Sequence, residues 1–223
     1  SRIELVPRAY SDERFVYREE LVAASSHPTI AAALARVAPR NESDVVWDPF
    51  AGAGAELVER ARLGPYSRLV GTDTDPRAVA AARANLRRAG VVNASIETAD
   101  ACEHIPEGVT LIITNPPMGR RVQRGTHADL LERFVSHAAR VLVPGGALVW
   151  LVPEPGPIRR RAESAGLVLD RAFSVDMGGF SAELAIYSKK LGTKPRRIVG
   201  KEPGQKKRGD ERVVARQKRR SER

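Results

Sequence analysis

The 223-residue chain has very little cysteine and no long hydrophobic run. Its one cysteine, Cys102, excludes an internal disulfide, and the histidines are not spaced with it for a zinc site. No apolar run approaches the roughly 20 residues that a membrane-spanning helix needs, and the first residues lack the pattern of a signal peptide. With 42% hydrophobic and 29% charged residues, the composition is typical of a soluble globular protein. We therefore predict no metal and no membrane partner, and we expect a cytoplasmic protein.

The net charge of +10 is distributed unevenly along the chain. Residues 189–223 contain 15 Lys and Arg against four acidic residues, a net charge of +11, whereas residues 1–188 contain 22 basic and 23 acidic residues, a net charge of −1. The basic segment is also poor in apolar residues, which predicts a disordered tail. Such a tail suits the phosphate backbone of a nucleic acid, although a basic tail can also serve only to keep a protein in solution.

Strand-like and helix-like stretches alternate from Val45 onward, which predicts an α/β fold with a mostly parallel sheet. We expect a Rossmann-like sheet of seven strands, with helices on both faces and an antiparallel hairpin at its C-terminal end. The predicted domains are an N-terminal lead-in with a helix over 1–40, the main domain over 41–188 and the basic tail over 189–223. The predicted strands are 45–47, 68–71, 95–97, 109–114, 147–152, 167–176 and 182–187, and the predicted helices are 26–38, 55–62, 77–89, 127–142 and 159–165.

A glycine-containing loop, Asp48 to Gly54, follows the first predicted strand. Glycine lets the backbone pass close to a ligand, although a Gly-x-Gly sequence alone can be an ordinary turn. Two further acids follow the next two strands. Asp73 comes about 20 residues later, where a carboxylate can accept both ribose hydroxyls, and Asp100 is placed to contact an adenine amino group. Because the glycines do not follow the Gly-x-Gly-x-x-Gly pattern, an adenosyl ligand without a pyrophosphate is favoured over a dinucleotide.

The sequence Asn115-Pro116-Pro117-Met118 follows the fourth predicted strand. An exocyclic amine is a poor nucleophile because its lone pair is delocalised into the ring. An Asn side-chain oxygen and the Pro116 carbonyl can accept its two protons, which favours a pyramidal nitrogen aimed at a methyl group. Catalysis is then mainly orientation for in-line transfer. A proline-rich strand exit would be the structural alternative.

These motifs resemble those of class I S-adenosylmethionine-dependent methyltransferases, over residues 26–187. More narrowly, they resemble the RNA methylase family of guanine-N2 methyltransferases often found behind a THUMP RNA-binding domain. The residues that carry the resemblance are His27 to Ala31, Asp48 to Gly54, Gly71 to Asp73, Ala84 to Leu86 and Asn115 to Gly119. Where that family commonly has Gly-Ser-Gly-Thr and an aromatic fourth motif residue, this chain has Gly52-Ala53-Gly54-Ala55 and Met118. A methionine can still pack on a base face.

The resemblance implies the fold, the methyl donor and the site. Asp48 and the glycines would hold the methionine end of S-adenosylmethionine, Asp73 its ribose and Asp100 its adenine, and the motif from Asn115 would hold a base flipped out of tRNA or rRNA. The predicted cofactor-binding residues are Asp48, Pro49, Phe50, Ala51, Gly52, Gly54, Asp73, Thr74, Asp100, Ala101 and Asn115. The predicted catalytic residues are Asn115, Pro116, Pro117 and Met118, and Arg120, Arg121 and Arg124 either clamp substrate phosphates or form a solvated loop.

Three other functions stay open at this point. Asn-Pro-Pro serves planar amines in general, so adenine N6 of DNA or RNA and a protein glutamine amide are alternatives to guanine N2. A non-catalytic RNA-binding scaffold with the same fold is an alternative of another class. His27, His104, His127 and His137 have no partner at catalytic spacing, and we interpret them as structural or solvated. Because the first residue is Ser1, we also consider a longer protein with an upstream recruitment domain.

Overall fold

A computed structural model describes residues 16–18, 25–118, 124–153 and 155–191. The chain divides into two units, residues 1–191 and 192–223. The second unit lies outside the described residues, so the predicted disorder of the basic tail stays a prediction. The seven strands form one sheet, in the order β3-β2-β1-β4-β5-β7-β6. They are β1 (Val45–Asp48), β2 (Arg68–Asp73), β3 (Ala94–Thr98), β4 (Leu111–Thr114), β5 (Ala147–Val152), β6 (Leu167–Asp176) and β7 (Ser181–Lys189).

The first five strands are parallel, whereas β7 runs antiparallel between β5 and β6. The predicted seven-stranded, mostly parallel α/β sheet with its antiparallel C-terminal hairpin is confirmed. The sheet grows outward in opposite directions from β1 and β4, so the loops after these two strands diverge. In an open parallel sheet, this divergence creates a crevice at the carboxyl ends of the strands.

Five described helices accompany the sheet: α1 (Pro28–Val37), α2 (Ala55–Ala61), α3 (Pro76–Arg88), α4 (Arg124–Val141) and α5 (Pro155–Ser164). Helix α1 packs against α2, β4 and β5, so the N-terminal segment supplies part of the layer on one face of the sheet. None of the described helices is long and apolar enough to span a bilayer. Among the described residues, no three side chains of His, Cys, Asp or Glu are grouped closely enough to hold a metal ion.

Both faces of the sheet are buried at its central strands β4 and β5, as expected for strands covered by helices, whereas the edge strand β6 is largely exposed. Alternate residues of β5 show this directly, because Val149 belongs to one core cluster and Trp150 to the other. Phe134 of α4 packs against Trp150 with ring centroids 5.7 Å apart, and Leu57 of α2 lies in the opposite cluster. The two clusters hold the strands in place, and this fixes where the loops at their carboxyl ends lie.

Some predicted element boundaries differ from the structure. Helix α5 was predicted to begin at Arg159 but begins at Pro155. The first N–H groups of a helix have no partner within it, so a proline, which has no N–H group, removes no hydrogen bond at these positions. Pro155 and Pro157 are therefore compatible with the first turn. Strand β4 begins at Leu111 rather than at Val109.

Candidate active site

A cavity of about 930 Å³ lies at the carboxyl ends of the parallel strands. The loops after β1, β2 and β4, the segment after β3 and one face of α3 form its wall. Its lining residues are Pro49, Phe50, Gly52, Asp73, Thr74, Asp75, Arg77, Ala78, Ala80, Ala81, Ala84, Asp100, Ala101, Asn115, Pro117 and Leu130. The structure therefore brings together the glycine loop, the two acids after β2 and β3 and the Asn-Pro-Pro motif in one cavity.

The glycine loop bends sharply between β1 and α2. Gly52 and Gly54 have φ of +49° and +83°, a region that side chains with a Cβ rarely adopt. A Cβ on Gly54 would lie 2.5 Å from Cδ1 of Leu86 in α3, so Gly54 also permits close packing of that helix. The Asn85 side-chain amide donates to the Ala53 carbonyl oxygen at 3.0 Å. The loop is thus held from α3, and Gly52 is left at the cavity wall.

The Asp73 carboxylate joins two parts of the cavity wall. Its Oδ2 accepts from the Gly52 backbone N–H at 3.0 Å, and its Oδ1 accepts from the Asp75 N–H at 2.9 Å. Each carboxylate oxygen has a second lone pair. Asp73 can therefore hold the loop and still accept the two ribose hydroxyls of an adenosyl ligand, as the sequence predicts.

Asp48 is fully buried at the end of β1 and is not among the lining residues. Its Oδ1 accepts from the Thr114 hydroxyl at 2.7 Å and from the Phe50 N–H at 3.2 Å. Burial raises the pKa of Asp48 well above its usual value, and the nearby Glu56 carboxyl raises it further, whereas the hydrogen bond from Thr114 opposes the shift. In this structure, Asp48 therefore connects the β1 loop to the end of β4, directly before Asn115.

Asp100 lies in the turn that follows β3 and lines the cavity. Its Oδ1 accepts from the Cys102 N–H at 2.6 Å, which fixes the turn after β3, and Ala101 beside it is buried. Asp100 and Ala101 both line the cavity, where the predicted adenine would lie.

Among the described residues, the Asn115 carboxamide has a hydrogen-bond partner at its nitrogen and none at its oxygen. Its Nδ2 donates to the Ser26 hydroxyl at 2.9 Å, and Ser26 in turn donates to the Glu56 carboxylate. The Oδ1 atom is buried and has no hydrogen-bond partner among the residues that the structure describes. An unpaired buried acceptor costs free energy, so such an atom in a cavity wall is typical of a ligand contact.

Glu56 is almost completely buried in the first turn of α2. Burial raises its pKa to about 7, while the hydrogen bond from Ser26 and the positive charge of Arg18 lower it. Neither Ser26 nor Glu56 was predicted as a site residue. The predicted helix begins at Ser26, whereas α1 begins at Pro28 and is capped by His27, whose Nδ1 accepts from the Thr29 N–H at 3.2 Å. Ser26 instead contacts Asn115, which is 89 positions away in the sequence, so no local pattern indicates this contact.

Sequence reasoning also missed the lining residues contributed by α3 and α4. Asp75 caps α3 and pairs with Arg77 at 3.1 Å, and the small side chains of Ala78, Ala81 and Ala84 leave room beside them. The run of alanines in α3 was the available signal, because small residues on one helix face leave space for a ligand.

The remaining predicted residues lie around the cavity or outside the described region. Ala51, Gly54 and Pro116 are buried and Met118 is half-buried, and none of them lines the cavity. Met118 packs on the core cluster that contains Leu34 and Leu57. Arg120 and Arg121 lie outside the described residues, and so does the side chain of Arg124, the first residue of α4. The side chain of His127 is likewise outside, whereas His137 is buried and donates to the His104 carbonyl oxygen at 2.7 Å, a structural position.

A protein-family model described as "RMKL-like, methyltransferase domain", of the UPF0020 family, matches residues 16–183. The chain belongs to this family. The predicted methyltransferase family and fold are confirmed, and S-adenosylmethionine is the methyl donor. The cavity fits this group, because it is large enough for an adenosyl ligand and places Asp73 and Asp100 at two points of its wall.

Several relatives and solved structures resemble this methyltransferase domain. The tRNA (guanine(6)-N2)-methyltransferase of Thermus thermophilus is 32% identical over 73% of the chain and 49% of the relative. The U6 snRNA (guanine-N(2))-methyltransferase THUMPD2 of Bos taurus is 31% identical over 69% of the chain and 28% of the relative. The chain thus spans half or less of these relatives.

Solved structures show the same fold. The crystal structure of TrmN from Thermus thermophilus matches with a TM-score of 0.64 and 30% identity, over 73% of this chain and 48% of that one. An RNA methyltransferase from Salinibacter ruber, in complex with S-adenosyl-L-homocysteine, matches with a TM-score of 0.58 and 20% identity, over 77% and 97%. At that identity, the second match supports the fold alone.

Proposed function

We propose that the protein transfers a methyl group from S-adenosylmethionine to an exocyclic amine of an RNA base, with guanine N2 in tRNA or rRNA as the preferred target. One observation carries the proposal: Asn115 lines the cavity, and its buried Oδ1 has no hydrogen-bond partner among the described residues. An amine proton would satisfy this acceptor.

The chemistry follows from the orientation of that amine. When bound, S-adenosylmethionine supplies an electrophilic methyl group on a sulfonium. Asn115 Oδ1 accepts one N–H of the amine, and the Pro116 carbonyl is the predicted acceptor of the second. These two bonds would direct the nitrogen lone pair toward the methyl carbon. The N–C bond would form as the S–C bond breaks, S-adenosylhomocysteine would leave, and the methylated nitrogen would release one proton to water. The rate is then gained through positioning rather than through a strong base. The target base must leave its stack to reach this point.

The names of the relatives favour guanine N2 over the other planar amines. The Thermus thermophilus and Bos taurus relatives are named for guanine N2, and so is a tRNA (guanine(10)-N2)-dimethyltransferase of Methanocaldococcus jannaschii, which is 28% identical over 57% of the chain. Adenine N6 and a protein glutamine amide use the same acceptor geometry, so they are outcomes that the experiment must distinguish. The proposal also includes a cytoplasmic location and RNA contact by the basic segment over 189–223.

The test is methyl transfer from radiolabelled S-adenosylmethionine to unmodified tRNA, rRNA, DNA and bulk protein, with identification of the labelled product after digestion. We expect N2-methylguanosine from RNA, and loss of the label with Asn115→Ala. Label in N6-methyladenine or in protein would contradict the proposed substrate. Binding of S-adenosylhomocysteine with no label in any substrate would instead support the scaffold alternative.

A further inference from the structure

Three side chains from distant parts of the sequence form one hydrogen-bonded chain behind the candidate active site. Asn115 follows β4, Ser26 precedes α1, and Glu56 lies in the first turn of α2. Asn115 Nδ2 donates to Ser26 Oγ at 2.9 Å, and Ser26 Oγ donates to Glu56 Oε1. Glu56 is 2% exposed, so water does not replace Ser26 as its partner on this side.

The direction of this chain is fixed by its last member when the Glu56 carboxyl is ionised. The carboxylate then has no proton and can only accept, so the single proton of Ser26 goes to Glu56. The hydroxyl then has only lone pairs to offer to Asn115. The carboxamide must turn an N–H toward Ser26, and this leaves Oδ1 on the opposite side, where it lacks a partner among the described residues.

This direction matters because an asparagine carboxamide is nearly symmetrical in shape. Rotation by 180° about the Cβ–Cγ bond exchanges Oδ1 and Nδ2 at almost no steric cost. The rotated form would present N–H donors to the target amine, which needs an acceptor. Orientation of this one group therefore decides whether the amine is bound in a reactive geometry.

We propose that Ser26 and Glu56 are positioning residues for methyl transfer, which hold the Asn115 carboxamide in the rotamer that presents its oxygen to the target amine. The inference rests on the proposed function for its kinetic consequence, whereas the hydrogen-bonded chain itself can be measured without any substrate. Glu59, one turn further along α2, offers a matched comparison: it is also buried, but it pairs with Arg62 at 3.1 Å instead of with Ser26.

The first measurement is the side-chain amide resonance of Asn115 in the ¹⁵N-labelled 223-residue chain without ligand, assigned by its absence in Asn115→Asp. In Ser26→Ala, the Nδ2 protons lose their acceptor, and we expect both to shift and to exchange faster with water. Ser26→Thr keeps the hydroxyl and should restore the original signal. Ser43→Ala, at an exposed position, is the control for a general effect of removing a hydroxyl.

The second measurement is steady-state methylation of unmodified RNA. We expect Ser26→Ala to lower kcat at least tenfold, with the Kd for S-adenosylhomocysteine within twofold of wild type, and Ser26→Thr to stay within threefold in kcat. Glu56→Gln adds a donor at the end of the chain, so the direction of the Ser26 proton is no longer fixed. It should lower kcat at least threefold, whereas Glu59→Gln should not change it.

The two measurements distinguish failure of the proposed function from failure of the positioning role. Without N2-methylguanosine from the wild-type protein, the proposed function is wrong, and the amide resonance still decides the positioning role. An Asn115 resonance that does not move in Ser26→Ala overturns the inference whatever base is methylated. Equal loss of kcat in Ser26→Ala and Ser26→Thr overturns it as well, because the hydroxyl would then not be the group that matters.

Discussion

At the scale of single residues, Asp73 is the carboxylate on which cofactor binding should depend. It accepts from Gly52 and Asp75 and lines the cavity. Asp73→Asn removes the charge and replaces one acceptor by a donor, which leaves a ribose hydroxyl without its partner. We expect the Kd for S-adenosylhomocysteine to rise at least about tenfold, as measured by calorimetry. Asp170→Asn, on β6 where Asp170 accepts from Ser188, is the control and should not change it; equal affinities for Asp73→Asn and wild type would contradict the assignment.

Glu56 should make the protein less stable as the pH rises. Its pKa is about 7 in the folded state because of burial, against 4.5 as the ordinary value, so the folded state keeps a proton that the unfolded state releases. This contribution is fully present below pH 4.5 and is lost as the pH rises to 7. Glu56→Gln cannot ionise, so we expect it to be more stable than wild type at pH 8, by up to about 3 kcal/mol, and closer to wild type at pH 5.

Chemical denaturation of both proteins at pH 5 and pH 8 measures this difference. Burial also raises the pKa of Asp48, and Glu56 raises it further. Glu56→Gln removes that second contribution, so the measured difference includes a change at Asp48 that acts in the same direction. Glu59→Gln is again the matched control. A stability difference that does not change between the two pH values would show that Glu56 does not titrate in this range. If the prediction holds, the buried carboxylate reduces stability near neutral pH in the same position where it orients Asn115.

At the scale of elements, the contact of α3 with the glycine loop restricts which residues can replace Gly54. Gly54→Ala places a Cβ 2.5 Å from Leu86 and forces a side chain to adopt φ of +83°. We expect the free energy of unfolding to fall by roughly 2–4 kcal/mol, as a sum of backbone strain and overpacking. Gly90→Ala, after α3, has φ of +68° with no atom within 4 Å, so it carries the strain alone and should cost about 1 kcal/mol. Equal losses in thermal denaturation would exclude the packing contribution.

The elements also show which parts of the site a sequence can predict. Asp73 is the last residue of β2, and Asp100 and Asn115 follow β3 and β4. The carboxyl ends of parallel strands meet at one edge of a sheet, so the proximity of these residues can be predicted from chain order. Ser26 and Glu56 did not follow from it. Ser26 reaches Asn115 only because α1 packs across α2 and β4, and an acid in the first turn of α2 is what the helix dipole favours in any protein. Their contact is long-range in sequence, and single-sequence patterns carry no signal for it.

The start of α5 was mispredicted for a related reason. The predicted helix begins at Arg159, after Pro155-Gly156-Pro157, and proline usually ends a helix. The structure places these residues in the first turn of α5. The side chain of the next residue, Ile158, packs into the core cluster that contains Trp150. The burial of Ile158 and Ala162 stabilises the helix despite its proline-rich start. Tertiary packing therefore determines where α5 begins, and the local preferences of its first residues do not.

At the scale of the whole molecule, the two units identified by compactness differ in charge. Residues 192–223 contain 13 Lys and Arg against four acidic residues, a net charge of +9, while residues 1–191 contain 24 basic and 23 acidic residues, a net charge of +1. If the basic unit contacts RNA phosphates, each contact releases a counterion, and the affinity should fall steeply with salt. A chain ending at Leu191 keeps the cavity and all of its lining residues. We therefore expect it to bind S-adenosylhomocysteine as the full chain does, but to bind RNA more weakly and with a smaller dependence on salt.

Fluorescence anisotropy with a labelled tRNA, at 50, 100 and 200 mM salt, separates the two contributions. The slope of log K against log salt reports the number of phosphates neutralised, so the difference between the full chain and the chain ending at Leu191 counts the contacts made by the basic unit. A second control keeps the length but changes Lys206, Lys207 and Arg208 to Ala, which should lower the slope by about two to three. Identical slopes for all three proteins would mean that the positive charge of this segment makes no phosphate contacts, and the RNA surface would then have to lie within residues 1–191.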